Sequence, residues 1–203
     1  IALSGAGANS TNVIANDVEA YIQDSTVETT AGDVNVEAKS ANTISSLVGA
    51  IAAAVSGGAV AVSGAIGVSL GRNRIGYKEK NGSGLHNKAL AYIKNSTVTV
   101  GGNVLVEADA VDRANLESFS GSVAIAVGIG AGVAGSGAEA TTKLGTKVHA
   151  FIEDSTVTAT GNVTVDADAD SNITKSHAIG AAVSASLAGA SVAASVVDNL
   201  IAN

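Results

Sequence analysis

Three carboxylates at alternate positions near the C-terminal end of the chain are the best candidates for metal chemistry. Asp166, Asp168 and Asp170 lie on one face if this segment is an extended strand. Clustered hard oxygen ligands suit calcium, so we predict a weak calcium site here and no other cofactor. The EF-hand pattern is absent, because Ser171 and His177 occupy the positions where that loop needs glycine and glutamate. The alternative is a charged, solvated strand face that blocks lateral aggregation.

A second candidate site is a basic insertion near residues 72–88, which contains five of the eleven basic residues of the chain. Insertions in repeat proteins tend to fall on one face and can form a binding surface. A tyrosine among cations suits stacking on a sugar or contact with an acidic partner. The insertion is either a surface loop without a ligand or an adhesive element that binds glycan or a host or partner surface through Arg72, Arg74, Tyr77, Lys78 and Lys80.

No set of residues predicts catalysis. The chain has no cysteine, and its three histidines, His86, His149 and His177, stand in unrelated contexts. A polysaccharide lyase would need carboxylates and basic groups around one sugar cleft, whereas the basic groups are concentrated in one insertion. We therefore predict that the protein is not an enzyme. Its formal net charge of −7 also argues against a nucleic-acid partner.

The candidate sites are set in a chain that repeats itself. The sequences AYIQDSTV, AYIKNSTV and AFIEDSTV begin at positions 20, 91 and 150, which are 71 and 59 residues apart. A second motif follows each anchor, as GDVNVEA, GNVLVEA and GNVTVDA. Such self-similarity predicts a stacked repeat architecture. We divide the single array 1–203 into the end of a preceding repeat (1–19), repeat one with the insertion (20–90), repeat two (91–149) and repeat three (150–203).

The stretches between the motifs have the period of a β-strand. Bulky residues such as Val123, Ile125 and Val127 alternate with alanine, glycine and serine, which gives one bulky face and one tiny face. The phase of this alternation shifts at residues 56–58 and near 188–190, where we predict corners. Residues 47–70 carry no charge and are long enough for a membrane helix. Their alternation and small residues instead predict strands, so we expect no membrane-spanning segment.

These observations favour an all-β fold, a parallel β-solenoid built from about three repeats. Solenoid coils of about 20 residues would place three coils in each 59-residue repeat, about ten in the chain, and give a rod about 45–50 Å long. The core would consist of valine, isoleucine, leucine and alanine, because the chain has only five aromatic residues. The alternative is a glycine- and alanine-rich stack of antiparallel β-hairpins.

The anchors, the G-N-V-x-V-x-A motif and the glycine- and alanine-rich stretches resemble very large repetitive bacterial surface proteins, the leukotoxin-like and filamentous-haemagglutinin-like adhesins. The resemblance covers essentially all 203 residues. It implies an exported β-solenoid stalk or fibre, extracellular or at the cell surface. No binding residue of that family can be carried onto a position of this chain. Because the pattern starts and stops within a repeat, we expect a processed subunit or an excerpt of a longer polypeptide.

Two functions follow from this sequence. The first is a structural module of an exported bacterial surface fibre or filamentous adhesin, a rigid β-rod that joins neighbouring copies or repeats end to end. Its tiny alanine and glycine faces would also let adjacent sheets or whole rods pack closely. The alternative is an adhesive module that binds glycan or a partner surface through the insertion near residues 72–88.

Overall fold

A computed structural model describes residues 1–77 and 87–202. These residues form eleven strands and no helix, so none of them provides a helix able to cross a membrane. The strands are β1 (Ala2–Ile14), β2 (Asp17–Gln23), β3 (Thr26–Thr29), β4 (Val34–Ile75), β5 (Lys88–Lys94), β6 (Thr97–Val100), β7 (Val104–Gly145), β8 (Lys147–Glu153), β9 (Thr156–Ala159), β10 (Val163–Ala185) and β11 (Ala188–Ala202).

Every pairing between these strands is parallel, and the strands form three sheets. The largest has the order β1-β4-β7-β10, and β11 pairs with the second half of β7. The other two sheets have the orders β2-β5-β8 and β3-β6-β9. One coil therefore takes one strand from each small sheet and one long strand, or pair of strands, from the large sheet. The predicted parallel β-solenoid is confirmed, and the alternative of antiparallel hairpins is not found among the described strands.

The prediction of about ten coils is wrong, because one repeat makes one coil. Ala20 pairs directly with Ala91, and Ala91 pairs with Ala150, so the anchors of successive repeats are neighbours in one sheet. With strands about 4.8 Å apart, three coils advance only about 15 Å along the axis. The residues that we assigned to extra coils instead lengthen a single strand, since β4 and β7 contain 42 residues each.

Each of these long strands doubles back on itself at a glycine. Gly58 in β4 and Gly128 in β7 have φ angles of 137° and 123°, in the region that favours glycine. Beyond the bend the two halves face each other, and the hydroxyls of Ser69 and Ser118 lie 2.9 Å apart across the gap. We call residues 34–57, 104–127 and β10 the outgoing arm. The return arm comprises residues 60–75 and 129–145 with β1 and β11, and the two arms form a slab.

The slab places the small side chains inside and the bulky ones outside. Alanine and serine of both arms are buried between the sheets, whereas Ile51, Val55 and Ile66 are exposed. Small side chains let the sheets approach closely, and a Cβ at Gly67 would lie 2.5 Å from the carbonyl oxygen of Gly121 in the opposite arm. The tiny faces thus pack within the chain. The predicted bend at residues 56–58 is present, and the third coil bends between β10 and β11, at residues 186–187, slightly before the predicted position.

At the other end of each coil lies a three-sided head, made of the two short sheets and the start of the outgoing arm. Its interior is the main aliphatic core of the chain, as the composition predicts. The buried members of this core are Val36, Ala38, Ala91, Ile93, Val98, Val100, Val104, Val106 and Ala108.

The repeated motifs form the corners of the head. Asp24, Asn95 and Asp154 have φ angles of 48–49°, a left-handed conformation that aspartate and asparagine tolerate best after glycine. The serine that follows each of them donates its hydroxyl to a carbonyl two residues earlier, and the hydroxyl of Ser96 also accepts the backbone N–H of Ser25 in the coil below. These bonds stack the anchors in register.

Candidate functional site

The three acidic residues predicted to bind calcium lie on the outer face of the upper coil. Asp166 and Asp168 are exposed and stand in register with Glu107 and Asp109. Asp170 instead accepts a hydrogen bond of 2.6 Å from the guanidinium of Arg113, which lowers the pKa of Asp170. Among residues 1–77 and 87–202, no three carboxylate or imidazole groups are placed to hold a metal ion. Calcium binding here stays a prediction.

The predicted ligand-binding residues of the insertion do not form one exposed cluster in the part that the structure describes. Arg72 pairs with Glu139 at 3.0 Å, and Arg74 and Tyr77 are buried. Lys78 and Lys80 lie outside the described residues. Glycan or partner binding through this insertion therefore stays a prediction. Arg72 also has a structural role, because its ion pair with Glu139 links the return arms of two coils.

Ion pairs between successive coils cover the outer surface near the head. The ammonium of Lys39 lies 3.1 Å from Glu37 and 3.3 Å from Glu107, and both carboxylates raise the pKa of Lys39. Lys175 of the third coil contacts Glu117 of the second, which lowers the pKa of Glu117. Lysines thus pair with carboxylates of the neighbouring coil, whereas equivalent positions can carry like charges, as Glu37, Glu107 and Asp166 do.

An aromatic ladder runs up the outer face of the sheet formed by β2, β5 and β8. The rings of Tyr21 and Tyr92 are stacked with centroids 5.2 Å apart, and those of Tyr92 and Phe151 with centroids 5.0 Å apart. Stacking along the axis covers both faces of the Tyr92 ring, so that only its edges are left towards solvent. The sequence carries the signal for this ladder, since an aromatic residue follows the first alanine of every anchor. The ladder was not predicted because three coils per repeat would place those rings too far apart to stack.

A buried polar network joins the head to the slab. Asp112 is fully buried, and its carboxylate accepts hydrogen bonds from the amide of Asn42 at 2.8 Å and from the hydroxyl of Thr146. The side-chain amide nitrogen of Asn87 donates to Thr146 at 2.6 Å, and the side-chain oxygen of Asn87 accepts the backbone N–H of Asn16 at 3.0 Å. The network crosses from one coil to the next, so it fixes the register at the point where the arms leave the head.

No family model matches the chain, and neither a curated protein nor a solved structure shows significant similarity to it. Two features of the described surface stand out, the open edges of the solenoid and the outer faces of the slab.

The upper end of the solenoid is an open sheet edge. Val34 donates its backbone N–H to the Asn103 carbonyl in the coil above, and Val104 donates to Asn162 in the same way. By this register, the N–H of Val163 in the third coil points away from the array. The lower end is stepped, because β1 pairs only with the return half of β4 and the head has no strand below β2 and β3.

The outer faces of the slab are apolar on both sides. Along the outgoing arm the exposed residues include Leu47, Ile51, Val55, Phe119, Val127, Ile179 and Val183. Along the return arm they include Leu3, Val60, Ile66, Ile129, Val133, Val192 and Val196. The period-two alternation predicts the bulky face, but nothing in the alternation says which face lies inside.

Proposed function

We propose that this protein is a structural module of an exported bacterial surface fibre, whose solenoid continues into neighbouring repeats or copies through its open strand edges. The single observation that carries this proposal is the direct pairing of every repeat with the next in one parallel register, with the same pairing groups exposed at the upper edge. An open edge of this kind is a ready site for another strand.

Hydrogen bonds at the corners support the same proposal, because they connect each coil to the next. The Asp33 carboxylate accepts the backbone N–H of Asn103 at 2.6 Å, and the Asn103 side-chain oxygen accepts the N–H of Asn162 at 2.9 Å. A further coil would add one more step to this ladder by donating its corner N–H to the side-chain oxygen of Asn162. The repeated motifs are thus the residues that a continuing array needs.

The stepped lower end makes the proposal testable. When one copy is placed on another, β1 of the upper copy meets β11 of the lower copy first, and the heads stay one layer, about 4.8 Å, too far apart. Removing residues 1–14 leaves both ends flat. We expect the shortened chain to form longer filaments than the whole chain in electron micrographs, with a repeat near 4.8 Å along the axis.

An edge substitution supplies the matched control. Val163→Pro removes an N–H that faces the open edge, and it breaks no hydrogen bond within the coil. The substitution should therefore stop growth of the shortened chain while the fold is kept. Val163→Ala keeps the N–H and should assemble normally. A shortened chain that is folded by circular dichroism yet monomeric at high concentration would contradict the proposal, and so would equal assembly of the two Val163 variants.

A further inference from the structure

The outer surface of the return arm is apolar and one strand wider than that of the outgoing arm. It is built from four neighbouring strands, β1, β4, β7 and β11. Leu3, Ile66 and Val192 on this surface are 81%, 61% and 70% exposed. The exposed apolar side chains of the surface together present roughly 1,000 Å², while each partner in a standard protein interface buries roughly 800 Å². We call this surface the return face.

The return face carries both projecting side chains and hollows. Along the axis, large and minimal side chains alternate, as in the row Gly5, Ile66, Gly135, Val192, where each bulky residue stands beside a glycine. The glycines leave an apolar groove of about 340 Å³ beside Leu3 and Ile66, and a second hollow of about 170 Å³ beside Val68 and Val196. The projecting isoleucine, leucine and valine side chains are of the kind that fills such hollows.

We propose that the return face docks against the return face of a second copy of this chain, related by a two-fold axis. A two-fold contact requires one patch that carries both the projections and the hollows, which this surface does. No charged side chain lies within residues 1–16, 60–71, 129–138 or 188–197, so two copies meet without like charges opposed. The contact lies on the side of the slab and is separate from end-to-end growth through the strand edges.

A lipid surface fits the return face less well than a second copy does. The slab ends in open strand edges at β1 and β11, whose backbone groups would lose water in hydrocarbon without gaining partners. In a face-to-face dimer those edges stay in water while the apolar side chains are covered. Lipid binding is therefore an alternative outcome of the test.

Two isoleucines of β4 provide a matched pair of variants. Ile66 lies on the return face, and Ile51 lies on the opposite face of the slab, where it is 68% exposed. Each stands beside a glycine of β7. In sedimentation velocity of the full chain, we expect Ile66→Glu to weaken dimerisation at least about 100-fold, because each dimer would bury two charges. Ile51→Glu should leave the dimer unchanged.

Three results would overturn the proposal: a monomeric unmodified chain, an unchanged dimer with Ile66→Glu, or equal loss of the dimer with both variants. A monomer that sediments with phosphatidylcholine vesicles, and stops doing so with Ile66→Glu, would assign the face to lipid. Ile66 lies on the part of β4 that pairs with both β1 and β7, so Ile66→Glu leaves the edge backbone groups of β1 and β11 unchanged, and its loss of the dimer separates the face contact from edge pairing.

If Ile66→Glu fails to fold, a cysteine variant still tests the contact. The chain has no native cysteine, so Ile66→Cys and Ile51→Cys each provide one thiol. A short bis-maleimide should join two copies of Ile66→Cys efficiently and two copies of Ile51→Cys poorly. The reverse preference, or no difference, would overturn the proposal.

Discussion

Two glycines that face each other across the slab test which side of each strand lies inside. A Cβ added at Gly67 would point into the slab and lie 2.5 Å from the backbone carbonyl oxygen of Gly121. A Cβ added at Gly121 would point outwards, with no atom within 4 Å. Replacing glycine with alanine therefore causes a clash with the backbone at Gly67 and no clash at Gly121.

The structure sets the size of both effects. Alanine in place of a strand glycine stabilises the folded state by about 0.5–1 kcal/mol when there is room, because the unfolded chain loses freedom. At Gly67 the two sheets must separate by almost 1 Å to reach ordinary contact, and overpacking of this kind costs about 1–3 kcal/mol. We expect Gly121→Ala to raise the free energy of unfolding by about 0.5 kcal/mol and Gly67→Ala to lower it by about 1–2 kcal/mol.

Urea denaturation followed by circular dichroism measures the difference. With a slope of about 2 kcal/mol per molar urea, the two midpoints should differ by about 1 M. Both variants need the unfolding slope of the unsubstituted chain, so that the midpoints compare stabilities. A Gly121→Ala variant as destabilised as Gly67→Ala would refute the reasoning, since it would show that the bulky faces, not the small ones, are packed together.

Three further predictions concern the polar and aromatic contacts. Asp112→Asn should leave the free energy of unfolding unchanged or raise it by about 1 kcal/mol at pH 7, because the buried carboxylate has only neutral donors as partners; a loss above about 2 kcal/mol in urea denaturation would contradict this. Tyr92→Ala removes two stacked contacts and should lower the free energy of unfolding by about 1–3 kcal/mol, while Tyr92→Phe should leave it nearly unchanged. Equal losses in the two variants would assign the effect to the hydroxyl and not to the ring. Because Arg113 lowers the pKa of Asp170 in the folded state, their pairing stabilises the fold above the ordinary aspartate pKa and is lost as the pH falls through the lowered value; Arg113→Gln should raise the Asp170 pKa in a carbon-13 NMR titration, and an unchanged pKa would show that the contact is absent in solution.

The sequence predicts the strands and the bend of the slab from local patterns, and the parallel solenoid from the internal repeats. Alternation identifies the strands. The left-handed corners at Asp24, Asn95 and Asp154 were not predicted, although an aspartate or asparagine before serine and threonine is a local signal for them. The glycines at residues 57–58 identify the bend. These local signals lie within a few residues of the structure that they specify.

The size of the coil and the inner face of the slab could not be predicted in the same way. A 59-residue spacing fits three short coils or one long coil equally well by local pattern, and the choice depends on pairing between residues such as Tyr92 and Phe151 in different coils. The usual rule that bulky residues face the core fails in the slab, because both arms approach through alanine, serine and glycine. The candidate sites depend on these long-range contacts, which is why the pairing of Arg72 with Glu139 and of Arg113 with Asp170 was not foreseen.

The length of each coil determines what kind of material an array of these repeats would be. A layer of 59 residues advances the axis by about 4.8 Å, roughly a third of the gain per residue of a 20-residue coil, while each slab extends sideways by roughly 45 Å beyond the head. An array of a few such repeats is therefore wider across the slab than it is long along the axis, like a flat vane. Such a vane resists bending within the plane of the slab far more than across its two-sheet thickness, so it would yield to flow or contact from one direction and hold its shape against force from the other.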